Sequence, residues 1–114
     1  MEQTAKVRSA TKHNIGIVEL TGDVTSQAEQ DITESFQKLE KEGLKKFILK
    51  FNEATYINSS GLAIIISLVS DGKKKKQKIA ASGLSKHFQK VFDMIGLTDY
   101  IDIYATEDDA INEL

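Results

Sequence analysis

The sequence contains no cysteine, and this absence excludes disulfide bonds, thiol catalysis and metal sites built on thiolates. It has two histidines, His13 and His87, which stand far apart and have no neighbouring pattern of metal ligands. We interpret both as partly exposed side chains. The sequence therefore predicts neither a metal site nor a bound cofactor.

Long apolar runs are absent as well. No segment approaches the roughly 20 consecutive apolar residues that a membrane-spanning helix requires, and residues 1–6 lack the apolar stretch of a signal peptide. The formal net charge of −2 provides no general attraction to nucleic acid or to anionic membranes. These absences predict a cytoplasmic protein that neither inserts into a membrane nor binds nucleic acid.

The sequence patterns of common catalytic and nucleotide-binding sites are missing too. There is no Gly-x-Ser-x-Gly nucleophile elbow, and neither the dinucleotide-binding nor the P-loop glycine pattern occurs. The acidic residues Asp23, Glu53, Asp93 and Asp99 are scattered, so we interpret them as solvated loop residues and helix caps. We therefore predict that the protein is not an enzyme.

Strand and helix patterns alternate along the 114 residues, a length that suits one domain. The predicted order is β-β-α-β-α-β-α-β-α, with a hairpin at residues 12–14. It implies a single α/β domain over residues 1–114, with a mixed, mostly parallel sheet of about five strands and about four helices. The predicted strands cover residues 4–11, 15–20, 47–51, 78–81 and 101–104. Three predicted helices cover residues 25–42, 84–95 and 106–114. A further predicted helix covers the run that begins at residue 62 and ends near residues 70–72.

Polar residues mark the predicted helix starts. Ser26 followed by Glu29 resembles a capping box, in which a hydroxyl and a carboxylate satisfy free backbone N–H groups. The Ser-Gly-Leu-Ser segment at residues 82–85 and Thr106 are predicted caps of the last two helices. Glycines follow two of the helices and are expected to end them. These glycines are Gly43 and Gly96.

The segment Asn-Ser-Ser-Gly-Leu at residues 58–62 precedes an almost wholly apolar run, which is typical of a helix N-terminus at the rim of a sheet. Such a terminus exposes backbone N–H groups and the positive end of the helix dipole. We expect one serine, Ser59 or Ser60, to cap the helix and the other hydroxyl to project into solvent. The segment is therefore either a helix cap alone or a phosphorylation switch.

Four consecutive lysines at residues 73–76, with Lys78 just beyond them, form the one local charge cluster of the sequence. They could form a solvated connection after the buried helix, whose C-terminal dipole favours cations. They could also bind a phosphate-rich or acidic partner. The charge pattern leaves both interpretations open.

Four segments together resemble a known family. Residues 57–62 are similar to the Asp-Ser-Ser-Gly-Leu motif of STAS domains, the fold of bacterial anti-sigma-factor antagonists. Residues 20–23 resemble the family's Leu-x-Gly-Asp/Glu turn, and residues 92–97 its Phe-x-x-x-Gly-Leu segment. Residues 106–110 resemble its Thr-x-x-x-Ala helix. The resemblance covers nearly the whole chain in the right order.

The resemblance implies a regulatory binding module. In this family the unphosphorylated antagonist binds an anti-sigma-factor serine kinase and so frees the sigma factor. The kinase uses ATP to phosphorylate the first serine of the motif, and a PP2C-type phosphatase removes the phosphate. By position, the resemblance makes Ser59 the phosphoacceptor. The other motif and partner-binding positions are Asp23, Thr25, Asn58, Ser60, Gly61 and Leu62.

Two positions depart from the family pattern. Asn58 stands where aspartate is common, and Thr25 stands where a further acid is often found. The resemblance therefore leaves open a constitutive STAS scaffold, or a subunit of a signalling or lipid-transport complex, without a phosphorylation cycle. Binding of a small ligand or nucleotide at the helix terminus is a third alternative.

Overall fold

The computed structural model describes residues 5–52 and 55–114, and it places five strands side by side in one sheet in chain order. The first two strands are antiparallel and every later pair is parallel. This arrangement confirms the predicted α/β class and the predicted order of elements. The strands are β1 (Lys6–Lys12), β2 (Ile15–Thr21), β3 (Lys46–Lys50), β4 (Lys78–Ser82) and β5 (Asp102–Tyr104). The helices are α1 (Glu29–Lys41), α2 (Ser59–Lys74), α3 (Lys86–Met94) and α4 (Glu107–Glu113).

A two-residue turn joins β1 to β2. Its residues, His13 and Asn14, have φ angles of 52° and 63°, the left-handed conformation that closes a tight antiparallel hairpin. The register pairs Lys12 with Ile15 directly beside the turn. The structure therefore confirms the predicted hairpin and places His13 at its exposed tip.

The two faces of the sheet have separate apolar cores. Side chains from α1, α2 and α3 pack with the sheet into the larger core. Within it, Phe36 of α1 stacks on Phe47 of β3 with ring centroids 4.3 Å apart, and Phe92 of α3 meets Phe51 edge-on at 6.2 Å. On the other face α4 covers a smaller cluster of buried residues. That cluster consists of Ile15, Ile17, Ile48 and Ala110.

Helix α2 contains the apolar run from residue 62. Periodicity alone does not decide whether that run is a helix or a strand. The structure confirms a helix, but the helix continues to Lys74 instead of ending at residues 70–72. Gly72 lies inside the helix and faces the side chain of Ile79. A Cβ at position 72 would lie 2.6 Å from the Ile79 Cδ1 atom. Gly72 thus serves close packing and does not end the helix.

Among the helices in the described ranges, α2 included, none has the length and apolar character needed to cross a membrane.

The predicted helix ends are partly correct. The capping box at Ser26 and Glu29 is wrong, because the hydroxyl of Thr25 accepts the cap hydrogen bond from the Gln27 N–H at 3.2 Å and a 3₁₀ turn precedes α1. Two hydroxyl caps are confirmed, since Ser85 accepts from the Phe88 N–H at 3.2 Å and Thr106 from the Asp109 N–H at 3.1 Å. The predicted stops are confirmed as well. Their residues Gly43 and Gly96 have left-handed φ angles of 87° and 84° after α1 and α3.

An ion-pair group fastens the start of α4 to the sheet. Glu107 lies 2.7 Å from the Lys12 Nζ atom and 3.2 Å from the Lys50 Nζ atom, and its side chain is 12% exposed. The hydrogen bond from Lys12 lowers the pKa of Glu107; burial opposes this effect and Lys50 adds to it. The folded protein therefore holds this carboxylate charged at lower pH than an ordinary glutamate.

We expect Glu107→Gln to lower the unfolding free energy at neutral pH by up to about 1 kcal/mol. Because the folded-state pKa is depressed, the stabilisation is complete above the unfolded-state pKa and is lost as the pH falls through the folded-state pKa. The difference from wild type should therefore shrink in acid, as measured by denaturant unfolding across the pH range. Glu42→Gln, at an exposed position after α1, is the control. An unchanged difference at acid pH would contradict the role of Glu107.

Candidate functional site

The candidate site lies where the chain leaves β2 and where it enters α2. The N–H of Val24 donates to the carbonyl of Tyr56 at 2.7 Å, and the N–H of Asn58 donates to the carbonyl of Val24 at 3.2 Å. Val24 and Ile57 thereby form a short parallel bridge beyond the named strands. The bridge places Asp23 and Thr25, which flank Val24, beside the segment that enters α2. The structure thus brings together two parts of the predicted site that are distant in the sequence.

Gly61 permits this close approach. A Cβ at position 61 would overlap the carbonyl oxygen of Val24 and would lie 3.0 Å from the Ile57 Cγ2 atom. Because any side chain at position 61 would push the first turn of α2 away from the bridge, glycine is required by packing. The left-handed conformation plays no part here, since Gly61 is an ordinary helical residue.

Asn58 caps α2. Its backbone is extended, with φ −84° and ψ −179°, and its Oδ1 atom accepts a hydrogen bond from the Gly61 N–H at 2.8 Å. The Asn58 carbonyl accepts the first helical hydrogen bond, from the Leu62 N–H at 2.8 Å. The prediction that a serine caps this helix is therefore wrong. Asparagine is as good a cap as serine, and here it occupies the extended position that a cap requires.

The two serines are the first two residues of α2, and both are exposed. Because Asn58 provides the cap, the cap does not engage either hydroxyl. The first turn of α2 contains no acidic residue, so the partial positive charge of the 16-residue helix is not opposed within that turn. Both Ser59 and Ser60 are thus accessible from solvent at the positive end of the helix dipole.

The other predicted site residues surround this terminus. Asp23 is exposed, and its carbonyl accepts from the Ala5 N–H at 2.8 Å. Thr25 is half-buried, with its hydroxyl engaged in the cap of the 3₁₀ turn, and Leu62 packs partly buried against the larger core. Asp23 therefore stays accessible on this surface, whereas Leu62 mainly anchors the helix.

Sequence reasoning missed two residues of this site. Thr55 is buried, with its hydroxyl accepting from the Asn52 N–H at 3.1 Å and donating to the Leu20 carbonyl at 3.4 Å. It therefore ties the segment before α2 to the end of β2. Tyr56 is 56% exposed, and its ring meets Phe88 edge-on at 5.8 Å. The segment at residues 51–56, Phe-Asn-Glu-Ala-Thr-Tyr, carries no signal that separates an exposed tyrosine from a buried one.

We expect Asn58→Ala to lower the unfolding free energy by about 1 kcal/mol, because the Gly61 N–H loses its acceptor. Asn58→Asp should retain the cap and add a favourable charge at the helix N-terminus, typically worth about 0.3–1 kcal/mol. Denaturant unfolding measures both changes. Ser59→Ala is the matched control and should have little effect. Equal destabilisation by Asn58→Ala and Ser59→Ala would contradict the assignment of the cap.

Comparisons with known proteins identify the family and the fold. The sequence model of the STAS domain matches residues 6–110. Solved structures with the same fold include an anti-sigma factor antagonist from Mycobacterium paratuberculosis, which is 13% identical with a TM-score of 0.77 and covers 96% of this chain and 92% of its own. The unphosphorylated form of the anti-sigma factor antagonist SpoIIAA is 18% identical, with a TM-score of 0.70 and 96% of each chain covered.

The phosphorylated form of the Bacillus cell fate determinant SpoIIAA is also similar. It is 20% identical to this chain, with a TM-score of 0.70. The alignment covers 96% of this chain and 97% of the SpoIIAA chain. At these identities the structures establish a shared fold, and the family match over residues 6–110 establishes the family. The chain belongs to the STAS domain family.

Proposed function

We propose that this protein is an anti-sigma-factor antagonist that binds an anti-sigma-factor serine kinase in its unphosphorylated form and is switched off by phosphorylation of Ser59. A PP2C-type phosphatase would restore the binding form. The observation that carries the proposal is the exposed Ser59 hydroxyl on the first residue of α2, left free because Asn58 caps the helix. The solved structures of antagonists with this fold support the same role.

The charge at the helix terminus supports phosphorylation at this position. A phosphoserine carries about −1.5 to −2 charges at neutral pH, and the N-terminus of a helix stabilises such a charge. A partner that covers α2 and the Asp23 turn would have to desolvate that charge. Phosphate on Ser59 would therefore leave the protein folded and oppose binding of the kinase.

Asn58 fits this switch without taking part in the chemistry. As a neutral cap it fixes the backbone that presents Ser59, and it places no negative charge beside the incoming phosphate. In this mechanism the kinase supplies the base and the nucleotide, and the antagonist supplies the hydroxyl. The role of the protein is thus binding, and the catalysis belongs to its partners.

Incubation with a purified anti-sigma-factor serine kinase and ATP tests the proposal. Wild type and Ser60→Ala should incorporate phosphate, whereas Ser59→Ala should incorporate none. The two variants are closely matched, because both remove an exposed hydroxyl from the first turn of α2 that takes no part in the cap. Mass spectrometry locates the phosphate. Equal incorporation in wild type and Ser59→Ala would refute Ser59 as the acceptor.

A second function is favoured by the neutral character of Asn58, which stands where an acid is common in antagonists. In this alternative the protein is a constitutive scaffold or a subunit of a signalling or lipid-transport complex. Affinity capture from the native cell distinguishes the two. Recovery of a kinase with an ATP-binding domain supports the antagonist, and recovery of a transporter or scaffold without such a kinase supports the alternative.

A further inference from the structure

A groove between α2 and the segment that follows α3 lies outside the site described above. It encloses 630 Å³, within the range of about 300–1,000 Å³ that is typical of small-molecule sites. Its apolar walls come from Ile66 and Val69 on α2 and from Ile95, Leu97 and Tyr100 on the opposite side. The groove is therefore large enough for a small organic ligand.

The apolar side chains of the groove are accessible to solvent. Ile66 is 43% exposed, Ile95 45% and Tyr100 59%, whereas Val69 and Leu97 are buried and form the floor. Met94, next to Ile95 in the chain, is 83% exposed. Accessible apolar surface concentrated in one place marks an interaction site more often than scattered single residues do. An apolar ligand could be buried here without disturbing the core.

The charged residues that line the groove, within the described part of the chain, are two lysines. Lys73 and Lys74, in the last turn of α2, belong to its lining, and the Lys73 Nζ atom lies 4.6 Å from the centre of the Tyr100 ring. This cation–π contact holds one ammonium group at the groove. Their neighbour Lys75 points elsewhere and pairs with Glu40 at 3.0 Å. Within the described part of the chain, the lining of the groove includes no carboxylate.

The lysines and the apolar surface are separated along the helix. An α-helix rises about 1.5 Å per residue, so Lys73 lies roughly 10 Å beyond Ile66 along the axis of α2. The groove therefore has an apolar end and a cationic end. Asp99 lines an adjoining cavity of 250 Å³, which shares Val69, Lys73 and Tyr100 with the groove. The Asp99 Oδ2 atom would lie 3.9 Å from a Cβ at Gly96, which belongs to the groove lining. A bound anion is expected at the cationic end, at Lys73 and Lys74.

We propose that this groove binds a fatty-acid-type carboxylate, with its head group at Lys73 and Lys74 and its single chain over Val69 and Leu97. One anionic group and one extended apolar chain match the cationic end and the apolar floor. The anion-binding end of the groove lies at the last turn of α2, whereas Ser59 is the first residue of the helix. The inference is therefore independent of the phosphorylation switch.

Titration with decanoate, followed by methyl NMR and calorimetry, tests the proposal. We expect saturable shifts of the Ile66 and Ile95 methyl groups. The double substitution Lys73→Gln/Lys74→Gln should weaken decanoate binding roughly tenfold, as the loss of two partly exposed charge contacts implies. The matched control is Lys38→Gln/Lys41→Gln, which removes two lysines from the last turn of α1 and should leave the affinity unchanged.

Decyltrimethylammonium, which carries the opposite charge on a chain of similar length, separates charge recognition from simple apolar binding. It should bind at least several-fold more weakly than decanoate. The proposal is overturned if decanoate leaves the Ile66 and Ile95 methyl groups unmoved. It is also overturned if both amphiphiles bind equally, or if the two lysine double variants have the same affinity.

Discussion

Gly61→Ala should destabilise the protein by roughly 2–4 kcal/mol, the largest stability change among the substitutions considered for this site. The added methyl group would overlap the carbonyl oxygen of Val24, which is backbone and has no flexible end that could move aside. Relief requires the first turn of α2 to shift, and this shift would stretch the hydrogen bond between the Asn58 N–H and the Val24 carbonyl. The substitution would therefore both lower stability and displace Ser59.

Denaturant unfolding measures the first effect, and amide NMR shifts at residues 23–25 measure the second. Ser60→Ala is the control, because it changes an exposed side chain on the same turn and should alter the unfolding free energy by less than about 0.5 kcal/mol. Comparable stability of Gly61→Ala and Ser60→Ala would show that the contact between α2 and Val24 is looser than the structure indicates.

Ser59→Glu should weaken binding to the anti-sigma-factor kinase by roughly 30-fold or more. An unpaired charge buried at an interface costs about 2–5 kcal/mol, and the lower figure corresponds to a factor of about 30 in affinity. Glutamate carries one charge where phosphoserine carries nearly two, so the substitution gives the weaker form of the effect. Because residue 59 is exposed at a helix N-terminus, the variant should fold as stably as wild type.

Ser59→Gln is the matched control for the kinase affinity, since it has the same size and shape as glutamate without the charge. Surface plasmon resonance or calorimetry with the purified kinase gives both affinities. A loss that is the same for Gln and Glu would assign the effect to bulk instead of charge. No loss for either variant would remove Ser59 from the interface.

Local signals in the sequence were sufficient for the order of elements. The β-branched run in β2 and the spacing of Phe88 and Phe92 in α3 report structure that neighbouring residues determine. The apolar run of α2 was ambiguous by periodicity, and the Ser-Ser-Gly segment before it correctly favoured a helix. The end of α2 was predicted too early, near residues 70–72, because Gly72 lies inside the helix and accommodates Ile79 of β4.

The site was predictable to a smaller extent. The resemblance to STAS domains singled out Ser59, but the cap depends on which residue has the extended backbone angles, and Asn and Ser are both suitable. The contact of Gly61 with Val24 joins residues far apart in the sequence, so no local pattern reveals it. The same holds for Thr55, whose partner Leu20 lies near the end of β2.

The affinity of one protein sample for the kinase, measured at three stages, tests the central claim most directly. Binding is measured before phosphorylation, after complete phosphorylation of Ser59, and after treatment with a PP2C-type phosphatase. We predict tight binding at the first and third stages and a loss larger than that of Ser59→Glu at the second. Equal affinity at all three stages would contradict the proposal that phosphate on Ser59 switches this protein off.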